Sequence, residues 1–402
     1  MSELPILVLQ KDLARLIRSG HPWVFADAIS VPAGLTTGSA AELRTARGGF
    51  LARGLYEADS PIAFRIWTLN NNRRPSNALL RERLKQAGRL RRAVVPFNTD
   101  AYRLVNGEGD RLPGLVVDIY ANTAVVQLDS AALRPLLPAL SEGLRAVRPE
   151  IEHVLLREFH EPGEAKAQGG QAAPRLEALW GELPDGPIIV QEHGIRMEAD
   201  LQQGHKTGLY LDQRENRKRI GELAGGKRVL NLFSYTGGFS LAAALGGASQ
   251  VVTVDSSEPA IEAARRNFEQ NGLNSDDPAY DFVAADVFEL LGDSRYRQGF
   301  DMVVLDPPSL APSSRARERA LSAYRNLNAG ALEAVAPGGF LFTASCSSHV
   351  DAEDLRQAIT AGAVHAKRRV RIVEQRGAGA DHPTLPAFPE GDYLQAFLVW
   401  VE

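Results

Sequence analysis

The chain has 402 residues, of which 44% are hydrophobic and 23% charged, and its formal net charge is −4. This composition is ordinary for a folded protein of two or three domains and argues against a disordered chain. The net charge excludes nucleic-acid binding through a global positive field, so any such binding must use local basic patches.

Cysteine content and hydropathy indicate the compartment. A single cysteine, Cys346, cannot form an internal disulfide, and the first residues show no basic region followed by an apolar one. No apolar stretch reaches the roughly 18 residues that a membrane-spanning helix requires. We therefore expect a cytoplasmic protein without membrane contact.

The first region, residues 1–72, predicts a small β-rich domain. Short apolar runs at Ile6–Leu9, Phe50–Leu55 and Ile62–Leu69 are separated by Gly, Pro and polar turns. Its most distinctive segment is Gly20-His21-Pro22-Trp23-Val24-Phe25. A polar stretch at residues 70–75 then predicts the first domain boundary.

An amphipathic helix with a basic outer face is expected next. From Arg73 to Arg92, eight basic residues accompany one acidic residue, Glu82. The helix would bury apolar residues that recur at near-helical spacing, namely Leu79, Leu80, Leu84, Ala87 and Leu90. Phosphate binding is one interpretation of the basic face, and a solvated helix surface is the other. The candidate phosphate contacts are Arg73, Arg74, Arg81, Lys85, Arg89 and Arg92.

Residues 73–185 as a whole predict a central α+β domain. A helix near Leu133–Val147 lies among strand candidates at Tyr102–Val105, Leu115–Tyr120, Ala124–Leu128 and His153–Glu158. The stretch Glu161–Ala173 is rich in Gly, Ala, Gln and charge, which predicts a mobile loop.

The last region, residues 186–402, has the most regular pattern. A predicted hairpin at Ile188–Gln191 and Ile195–Asp200 precedes apolar runs that alternate with helical segments such as Pro259–Asn271 and Arg317–Val335. The predicted strands are Val229–Phe233, Gln250–Asp255, Asp281–Ala284, Asp301–Asp306, Phe340–Ala344, Val370–Glu374 and Tyr393–Trp400. Such alternation predicts a Rossmann-like α/β domain with a seven-stranded sheet covered on both faces.

The turn after the first of these strands is the expected place for a nucleotide-like ligand. Glycines at 237 and 238 let the backbone approach closely, and a helix amino terminus follows. The next strand ends in Asp255, where a carboxylate can accept both hydroxyls of a ribose, and a third ends before Asp286. Each acid can instead be a helix cap. The dinucleotide glycine fingerprint is missing, which disfavours a dehydrogenase.

Two further strand ends each present a reactive group. Asp306 follows the run Met302–Leu305, and Cys346 follows Phe340–Thr343. Ligands bind at the carboxyl ends of parallel strands, so a carboxylate and a thiol are expected beside one site, a pairing suited to covalent chemistry on a heterocycle. A lone cysteine after a strand can also be a small buried hydrophobe.

At this point the chain resembles class I S-adenosylmethionine-dependent methyltransferases, and more narrowly the RlmI family of 23S rRNA cytosine-C5 methyltransferases. The region that contains Gly20-His21-Pro22-Trp23-Val24-Phe25 resembles the family's PUA domain. The middle of the chain resembles the family's central α/β domain, and the remainder resembles its catalytic domain. The matching motifs are Lys206-Thr207-Gly208-Leu209-Tyr210-Leu211-Asp212-Gln213-Arg214, the Asn231–Gly238 turn, Leu305-Asp306-Pro307-Pro308, Ser345-Cys346-Ser347 and Ala380-Asp381-His382-Pro383.

The resemblance implies S-adenosylmethionine as cofactor and a set of residues that would hold it. Residues expected to close the cofactor site are Lys206, Thr207, Gly208, Asp212 and Arg214. The residues expected to contact the bound cofactor, from its methionine end through the ribose to the adenine, are Asn231, Phe233, Ser234, Tyr235, Thr236, Gly237, Asp255, Ser256, Asp286, Val287 and Asp306. No metal is implied.

The expected chemistry begins with the Cys346 thiolate adding to carbon 6 of cytosine, which makes carbon 5 nucleophilic. Asp306 is the candidate acid near N3, for which it would need a raised pKa. A base must then remove the carbon-5 proton. Related enzymes carry a second cysteine in the Asp306 loop, where this chain has Pro308-Ser309, so water, a carboxylate, His349 or His382 are the candidates. Stacking on the target base is expected from Tyr235, Phe239, Tyr324 or Phe388.

Two other functions remain open at this stage. The enzyme can instead methylate an exocyclic base amine, although Ser309 stands where such enzymes usually carry an aromatic residue. Alternatively, the chain is a non-catalytic ribosome-assembly factor, which would need neither Cys346 nor the cofactor turn. The expected partners are 23S rRNA or an assembling large ribosomal subunit, with a homodimer as the default oligomer.

Overall fold

The computed structural model describes residues 3–158, 175–311, 313–347 and 349–402. The expected mobile loop at Glu161–Ala173 lies outside these ranges. No helix among the described residues is both long and apolar enough to cross a bilayer.

The chain forms two units that interleave along the sequence. The first unit comprises Met1–Val190, Ala199–Leu211 and Ala380–Gly391, and the second comprises Gln191–Glu198, Asp212–Gly379 and Asp392–Glu402. The two late segments of the first unit fall inside residues 186–402, which the sequence predicts to be a separate domain. Local sequence pattern does not show that these segments belong to the first unit. The domain boundaries at 72/73 and 185/186 stay predictions.

A six-stranded sheet fills the amino-terminal part of the first unit, in the spatial order β2-β6-β5-β4-β1-β3. Its elements are β1 (Ile6–Leu9), α1 (Ala14–Ser19), β2 (Trp23–Val24), β3 (Ile29–Ser30), β4 (Ala40–Arg44), β5 (Phe50–Tyr56) and β6 (Phe64–Thr68). Gly20 ends α1 with φ at 108°, a backbone conformation that glycine adopts without steric cost. The three strands expected from the sequence are present, and β2, β3 and β4 were missed.

The rest of the first unit is built on a five-stranded sheet in the order β11-β10-β9-β8-β7. Its elements are α2 (Asn77–Val94), β7 (Ala101–Asn106), β8 (Leu115–Tyr120), β9 (Thr123–Leu128), α3 (Leu137–Val147), β10 (His153–Glu158) and β11 (Arg175–Trp180). The Ser76 hydroxyl caps α2 by accepting from the Leu79 N–H at 3.2 Å. The helix expected at Leu133–Val147 is divided, because Ala131–Leu136 is a 3-10 turn containing Pro135.

The segment Ala380–Gly391 packs onto this five-stranded part. Asp381 accepts the Arg103 backbone N–H on Oδ2 at 2.9 Å and a guanidinium N–H of Arg91 on its carbonyl at 2.8 Å. Asn106 Nδ2 donates to the carbonyl of Pro383 at 3.0 Å. The first unit is therefore completed by residues that lie near the end of the sequence.

The second unit contains the predicted seven-stranded sheet, in the order β16-β15-β14-β17-β18-β20-β19, and a hairpin of β12 (Ile188–Glu192) and β13 (Ile195–Ala199) leads into it. The strands are β14 (Arg228–Leu232), β15 (Gln250–Asp255), β16 (Tyr280–Ala284), β17 (Phe300–Leu305), β18 (Val335–Ser345), β19 (Val370–Arg376) and β20 (Gln395–Val401). The helices are α4 (Arg214–Leu223), α5 (Gly238–Leu245), α6 (Glu258–Gln270), α7 (Val287–Leu290), α8 (Arg317–Ala334) and α9 (Ala352–His365).

Strand register places the predicted functional residues along one edge. Strands β14 to β18 are parallel, and Leu232 at the end of β14 pairs with Val254 of β15 and Leu305 of β17. Leu305 in turn pairs with Thr343 of β18. The chain segments that leave these strands therefore start side by side at the carboxyl edge of the sheet, where open α/β sheets bind ligands.

Candidate active site

The turn after β14 is shaped by left-handed backbone. Phe233, Tyr235 and Gly237 have φ values of 58°, 49° and 75°. For the two residues that carry a Cβ, this conformation costs on the order of 1–3 kcal/mol each and persists only where surrounding contacts impose it. The Ser234 N–H donates to the Val254 carbonyl at 2.9 Å, which ties the turn to the neighbouring strand.

Asp255 braces the same turn from the end of β15. One carboxylate oxygen accepts the Tyr235 backbone N–H at 2.8 Å, and the other accepts the Ser257 N–H at 3.0 Å. Ser257, not Asp255, caps α6, through a hydroxyl that accepts from Ala260 N–H. Asp255 remains half-buried, and Ser256 beside it is exposed.

Beneath the turn lies a buried polar cluster. Asn231 Nδ2 and the Thr253 hydroxyl both donate to the Ser240 hydroxyl, at 2.9 and 2.8 Å. All three side chains have no solvent exposure. Asn231 therefore supports the turn from inside instead of lining its surface, and its Oδ1 has no hydrogen-bond partner among the described residues.

Asp286, which follows β16, is a helix cap, one of the two roles that the sequence leaves open for it. Its side chain accepts the backbone N–H groups of Phe288 and Glu289 at 2.7 and 3.3 Å and so caps α7. The Val287 side chain is buried in the core, and its contact with the adenine stays a prediction. Phe288, which the sequence reading missed, is 51% exposed and meets the Phe233 ring edge-on with centroids 6.2 Å apart.

Asp306 and Cys346 follow neighbouring strands, β17 and β18, and both are half-buried. Tyr324 of α8 has no solvent exposure, and burial raises the pKa of its hydroxyl. The charges of Cys346 and Asp306 raise the Tyr324 pKa further. Asp306 and Cys346 therefore follow adjacent strands at the carboxyl edge of the sheet, and their joint role stays a prediction.

Hydroxyl groups connect the loops that carry Asp306 and Cys346. The Ser345 hydroxyl donates to Tyr324 Oη at 2.9 Å, and Ser347 lies 3.3 Å from the same oxygen. The Ser309 and Ser347 hydroxyls hydrogen-bond at 3.1 Å. Ser347 also accepts the Ala311 N–H at 3.3 Å. Ser309 therefore joins the two loops.

The segment before α4 contacts the site through Gln213. Gln213 is 2% exposed, and its Nε2 donates to Asp306 Oδ1 at 2.9 Å. Asp212 is also buried and accepts the Tyr393 hydroxyl at 2.6 Å. Arg214 is 1% exposed and donates from Nε to Glu215 at 3.0 Å. Gln213 belongs to a motif that the sequence singled out, yet its role toward Asp306 was not anticipated.

On the first unit, helix α2 carries the basic surface, although it is narrower than expected. Arg91 is 2% exposed and binds both oxygens of Asp110, at 2.6 and 2.7 Å. Arg83 is also buried and donates to the carbonyls of Trp67 and Arg111, and burial lowers the pKa of Arg83 to about 9. These two arginines are structural, and Leu90 is exposed instead of buried as predicted.

The other basic residues stay at the surface. Arg81, Lys85, Arg89 and Arg92 are exposed, as is Arg73, while Arg74 is half-buried. Arg73 pairs with Glu82, and Arg81 pairs with Glu142 at 2.7 Å. An open cleft of about 990 Å³ adjoins this face. It is lined by Phe50, Trp67, Thr68, Leu69, Asn70, Asn71, Arg73, Glu82, Arg83, Gln86 and Arg111.

Comparison with known proteins places this geometry in a family. The sequence profile of S-adenosylmethionine-dependent methyltransferases matches residues 171–383, and that of PUA-like domains matches residues 7–69. Ribosomal RNA large subunit methyltransferase I of Photobacterium profundum is 39% identical over 400 residues, which cover 98% of this chain and 99% of the relative. The chain belongs to that family. The Escherichia coli protein of the same name is 37% identical over 394 residues, with 97% and 98% coverage.

Solved structures agree on the fold. A protein described as a methyltransferase from Streptococcus mutans superposes with a TM-score of 0.83 at 21% identity, covering 99% of this chain and 100% of that chain. Another methyltransferase structure, determined with SAH, also gives 0.83 at 21% identity and full coverage of both chains. The family, the PUA-like and Rossmann-like folds and S-adenosylmethionine as cofactor are confirmed as the sequence predicted.

The residues along the sheet edge fit this cofactor. Each oxygen of Asp255 accepts one backbone N–H and keeps a second acceptor position, so both can receive ribose hydroxyls. The exposed Phe288 ring offers a face for a purine. The unpartnered, buried Asn231 Oδ1 leaves an acceptor below the turn.

Three residues expected to close the cofactor site lie in the first unit. The Thr207 hydroxyl donates to Asp118 at 2.6 Å and also contacts the Tyr120 hydroxyl at 2.8 Å. Thr207 is 1% exposed, so its side chain anchors the segment inside the first unit. Lys206 is exposed with φ at 54°, and Gly208 has φ at 150°.

Most of the aromatic residues proposed for base stacking belong to the core. Tyr324, Phe239 and Phe388 are 0%, 6% and 4% exposed, so their prediction as stacking platforms is wrong. Phe239 packs on Phe342, and Phe388 packs on Trp23 in the first unit. Tyr235 is half-buried and remains available as a candidate.

The two histidines named as candidate bases have different environments. His382 is buried in the first unit, and its Nδ1 lies 3.1 Å from Asp381 Oδ1. Its burial and this contact fit a structural role. His349 is exposed and lies in the second unit. The described residues contain no cluster of three or more His, Cys, Asp or Glu that could bind a metal ion.

Proposed function

We propose that this protein transfers a methyl group from S-adenosylmethionine to carbon 5 of a cytosine in 23S rRNA, through a covalent adduct with Cys346. The observation that carries the proposal is the pairing of Leu305 with Thr343, which starts the Asp306 and Cys346 loops from adjacent strand positions. Both groups act on the pKa of the same buried tyrosine, Tyr324, which supports their closeness.

Cys346 and Asp306 have complementary parts in this reaction. The thiolate forms a bond to carbon 6 while Asp306 delivers a proton to N3, so the ring gains no net negative charge and carbon 5 becomes nucleophilic. Bound S-adenosylmethionine supplies the electrophilic methyl group that carbon 5 takes up. A base then removes the carbon-5 proton, the carbon–sulfur bond breaks, and N3 returns its proton to Asp306.

The cofactor is held, in this proposal, by residues along the sheet edge. Asp255 accepts the ribose hydroxyls, Phe288 stacks on the adenine beside Asp286, and Phe233 and Tyr235 shape the turn around the methionine end. Asn231 supports that turn from below. Contacts that stay predictions are Lys206, Thr207, Gly208, Asp212, Arg214, Ser234, Thr236, Gly237 and Ser256.

For the RNA, we propose that the exposed arginines and lysine of α2 neutralise backbone phosphates. The adjoining cleft offers the amides of Asn70, Asn71 and Gln86, which can hydrogen-bond unpaired bases or 2′-hydroxyls. The relatives' printed name, ribosomal RNA large subunit methyltransferase I, supports large-subunit RNA as the substrate, either free or in an assembling subunit.

The decisive experiment compares wild type with Cys346→Ser and Cys346→Ala on unmodified 23S rRNA and labelled S-adenosylmethionine. Nucleoside mass spectrometry should detect 5-methylcytidine with wild type and a loss of at least about 10³-fold with both variants. RNA containing 5-fluorocytidine should form a covalent adduct with wild type alone, because the carbon-5 substituent cannot then leave as a proton. A methylated amine, or 5-methylcytidine made by the variants, would overturn the mechanism.

A further inference from the structure

A chain of hydrogen bonds runs from β19 to Asp306 inside the second unit. Arg376 Nε donates to Asn216 Oδ1 at 2.8 Å. Asn216 Nδ2 donates to Gln213 Oε1 at 2.6 Å, and Gln213 Nε2 donates to Asp306 Oδ1 at 2.9 Å. Asn216 and Gln213 are 0% and 2% exposed, so water does not compete for these bonds.

The chemistry of the groups fixes the direction of the whole chain. A guanidinium only donates, so the Asn216 atom that faces Arg376 must be the oxygen. Asn216 Nδ2 also lies 3.2 Å from the Gly377 carbonyl, which only accepts and therefore requires the same amide orientation. The nitrogen of Asn216 then faces Gln213, whose oxygen must accept, so its nitrogen faces Asp306. Asp306 Oδ1 is consequently held as an acceptor.

The far end of the chain is anchored by charge. Arg376 donates to Glu374 at 2.8 Å and to the Glu215 carbonyl at 3.2 Å. Glu374 also accepts from Arg219 at 2.6 Å, and the Arg219 guanidinium is the main cause that holds the pKa of Glu374 below its ordinary value. The anchoring carboxylate is therefore ionised at neutral pH, and Arg376 is held in place.

We propose that Arg376, Asn216 and Gln213 are positioning residues that reserve Oδ1 of Asp306 as an acceptor, so that the proton exchanged with the base resides on Oδ2. This inference rests on the proposed function, in which Asp306 protonates N3. A carboxyl group that held its proton on either oxygen would present the proton correctly only part of the time. The chain removes that ambiguity before the substrate arrives, which is a form of preorganisation.

Asn216→Asp tests the direction of the chain. The new carboxylate keeps the contact to Arg376 but cannot donate to Gln213, whose amide then turns and presents its oxygen to Asp306. Asp306 Oδ1 would have to carry the proton. We expect kcat to fall about tenfold or more, with KM for RNA changed less than about twofold. In ¹³C-carboxyl NMR of the protein without RNA, the pKa of Asp306 should rise by about one unit.

Two further comparisons keep the test independent of folding. Gln213→Met removes the donor at similar volume, so the Asp306 pKa should also rise. Arg376→Lys retains a donor-only group and should preserve most activity, whereas Arg376→Met should not. Glu222→Gln, an exposed residue that pairs with the outer side of Arg219, is the matched control on α4 and should change nothing. Thermal unfolding reports whether each variant is folded.

The outcomes separate the two proposals. Tyr324 on α8, which interacts electrostatically with both Asp306 and Cys346, is unaltered in these variants, as is Cys346. An unchanged Asp306 pKa and an unchanged kcat in folded Asn216→Asp and Gln213→Met would overturn the positioning role. Full 5-methylcytidine formation by Asp306→Asn would instead overturn the acid role of Asp306, while the NMR titration would still report on the hydrogen-bond chain.

Discussion

The cofactor turn and the loops with the reactive groups are held in place by different means. Around Phe233 and Tyr235, strained backbone is fixed by backbone N–H bonds, including one to Asp255. The loops after β17 and β18 are joined instead by side-chain hydroxyls that converge on Tyr324. Substitutions that disturb the backbone should therefore damage the turn most, while loss of a single oxygen should damage the loops.

Gly237→Ala should have the largest effect on stability. Gly237 has φ at 75°, and an added Cβ would lie 2.7 Å from the Cβ of Ala264. Strain and overpacking together should lower the free energy of unfolding by about 3 kcal/mol. The matched control is Gly272→Ala, where φ is 73° and nothing lies within 4 Å, so only strain of about 1 kcal/mol applies. Equal losses in denaturant titrations of the two variants would contradict the account.

Tyr324→Phe should have the next largest effect. Removing this oxygen leaves the buried Ser345 hydroxyl without its acceptor, which should cost about 2 kcal/mol of stability. Methyl transfer should fall as well, since Ser345 and Ser347, which flank Cys346, both lose their hydrogen bond to Tyr324. Tyr280→Phe is the control, because the Tyr280 ring is half-buried and packs edge-on against Phe268. A Tyr324→Phe protein as stable and active as that control would show that the hydroxyl network is dispensable.

Glu215→Gln should have a moderate, pH-dependent effect. A hydrogen bond from His193 and the charge of Arg214 lower the pKa of Glu215 from 4.5 to about 2, against the cost of burial. A depressed carboxyl pKa stabilises the fold above the unfolded pKa, and that stability is lost as pH falls through the folded value. The variant should be about 1 kcal/mol less stable at pH 7.

The pH profile provides the check on Glu215. Wild type and Glu215→Gln should approach the same stability as pH falls from about 4.5 toward 2, measured by chemical denaturation. Glu222→Gln, on the same helix but exposed, should track the wild type throughout. A difference between wild type and Glu215→Gln that stays constant over this range would refute the assignment.

Tyr235→Gly should have the smallest effect on stability despite its place in the turn. Relief of the left-handed strain should offset part of the backbone entropy that glycine adds to the unfolded chain and part of the side-chain burial that is lost, leaving a loss below about 1 kcal/mol. Lys367→Gly, with φ at 54° in the same unit, should respond alike without changing methyl transfer. A loss above about 2 kcal/mol for Tyr235→Gly would mean that its side chain, not its backbone, holds the turn.

The parts of the site that the sequence predicted depend on short-range pattern. Strand periodicity places Asp255, Asp306 and Cys346 at strand ends, and parallel register then brings those ends to one edge. The parts it missed depend on side chains far apart in sequence. Gln213 reaches an aspartate 93 positions away, and the sequence holds no local sign of it.

The burial of long polar side chains also could not be predicted from the sequence. The basic residues of α2 predict a basic outer face, yet Arg83 and Arg91 are buried and donate to acceptors supplied by other segments. The exposed Phe288 ring has no sign in the sequence either, because an aromatic residue two positions after a strand-end acid is ordinarily part of the core. Its exposure follows from Asp286 capping a very short helix, which turns the ring outward.

The return of Ala380–Gly391 to the first unit affects how the chain folds as it is made. Arg91 and the backbone of Arg103 emerge from a ribosome early, but their acceptor Asp381 follows 290 and 278 residues later. During most of synthesis, the first unit therefore lacks these two hydrogen bonds and stays incompletely stabilised. Final closure of that unit must await nearly the whole polypeptide, so a prematurely terminated product would lack a finished amino-terminal unit as well as its carboxyl-terminal strands.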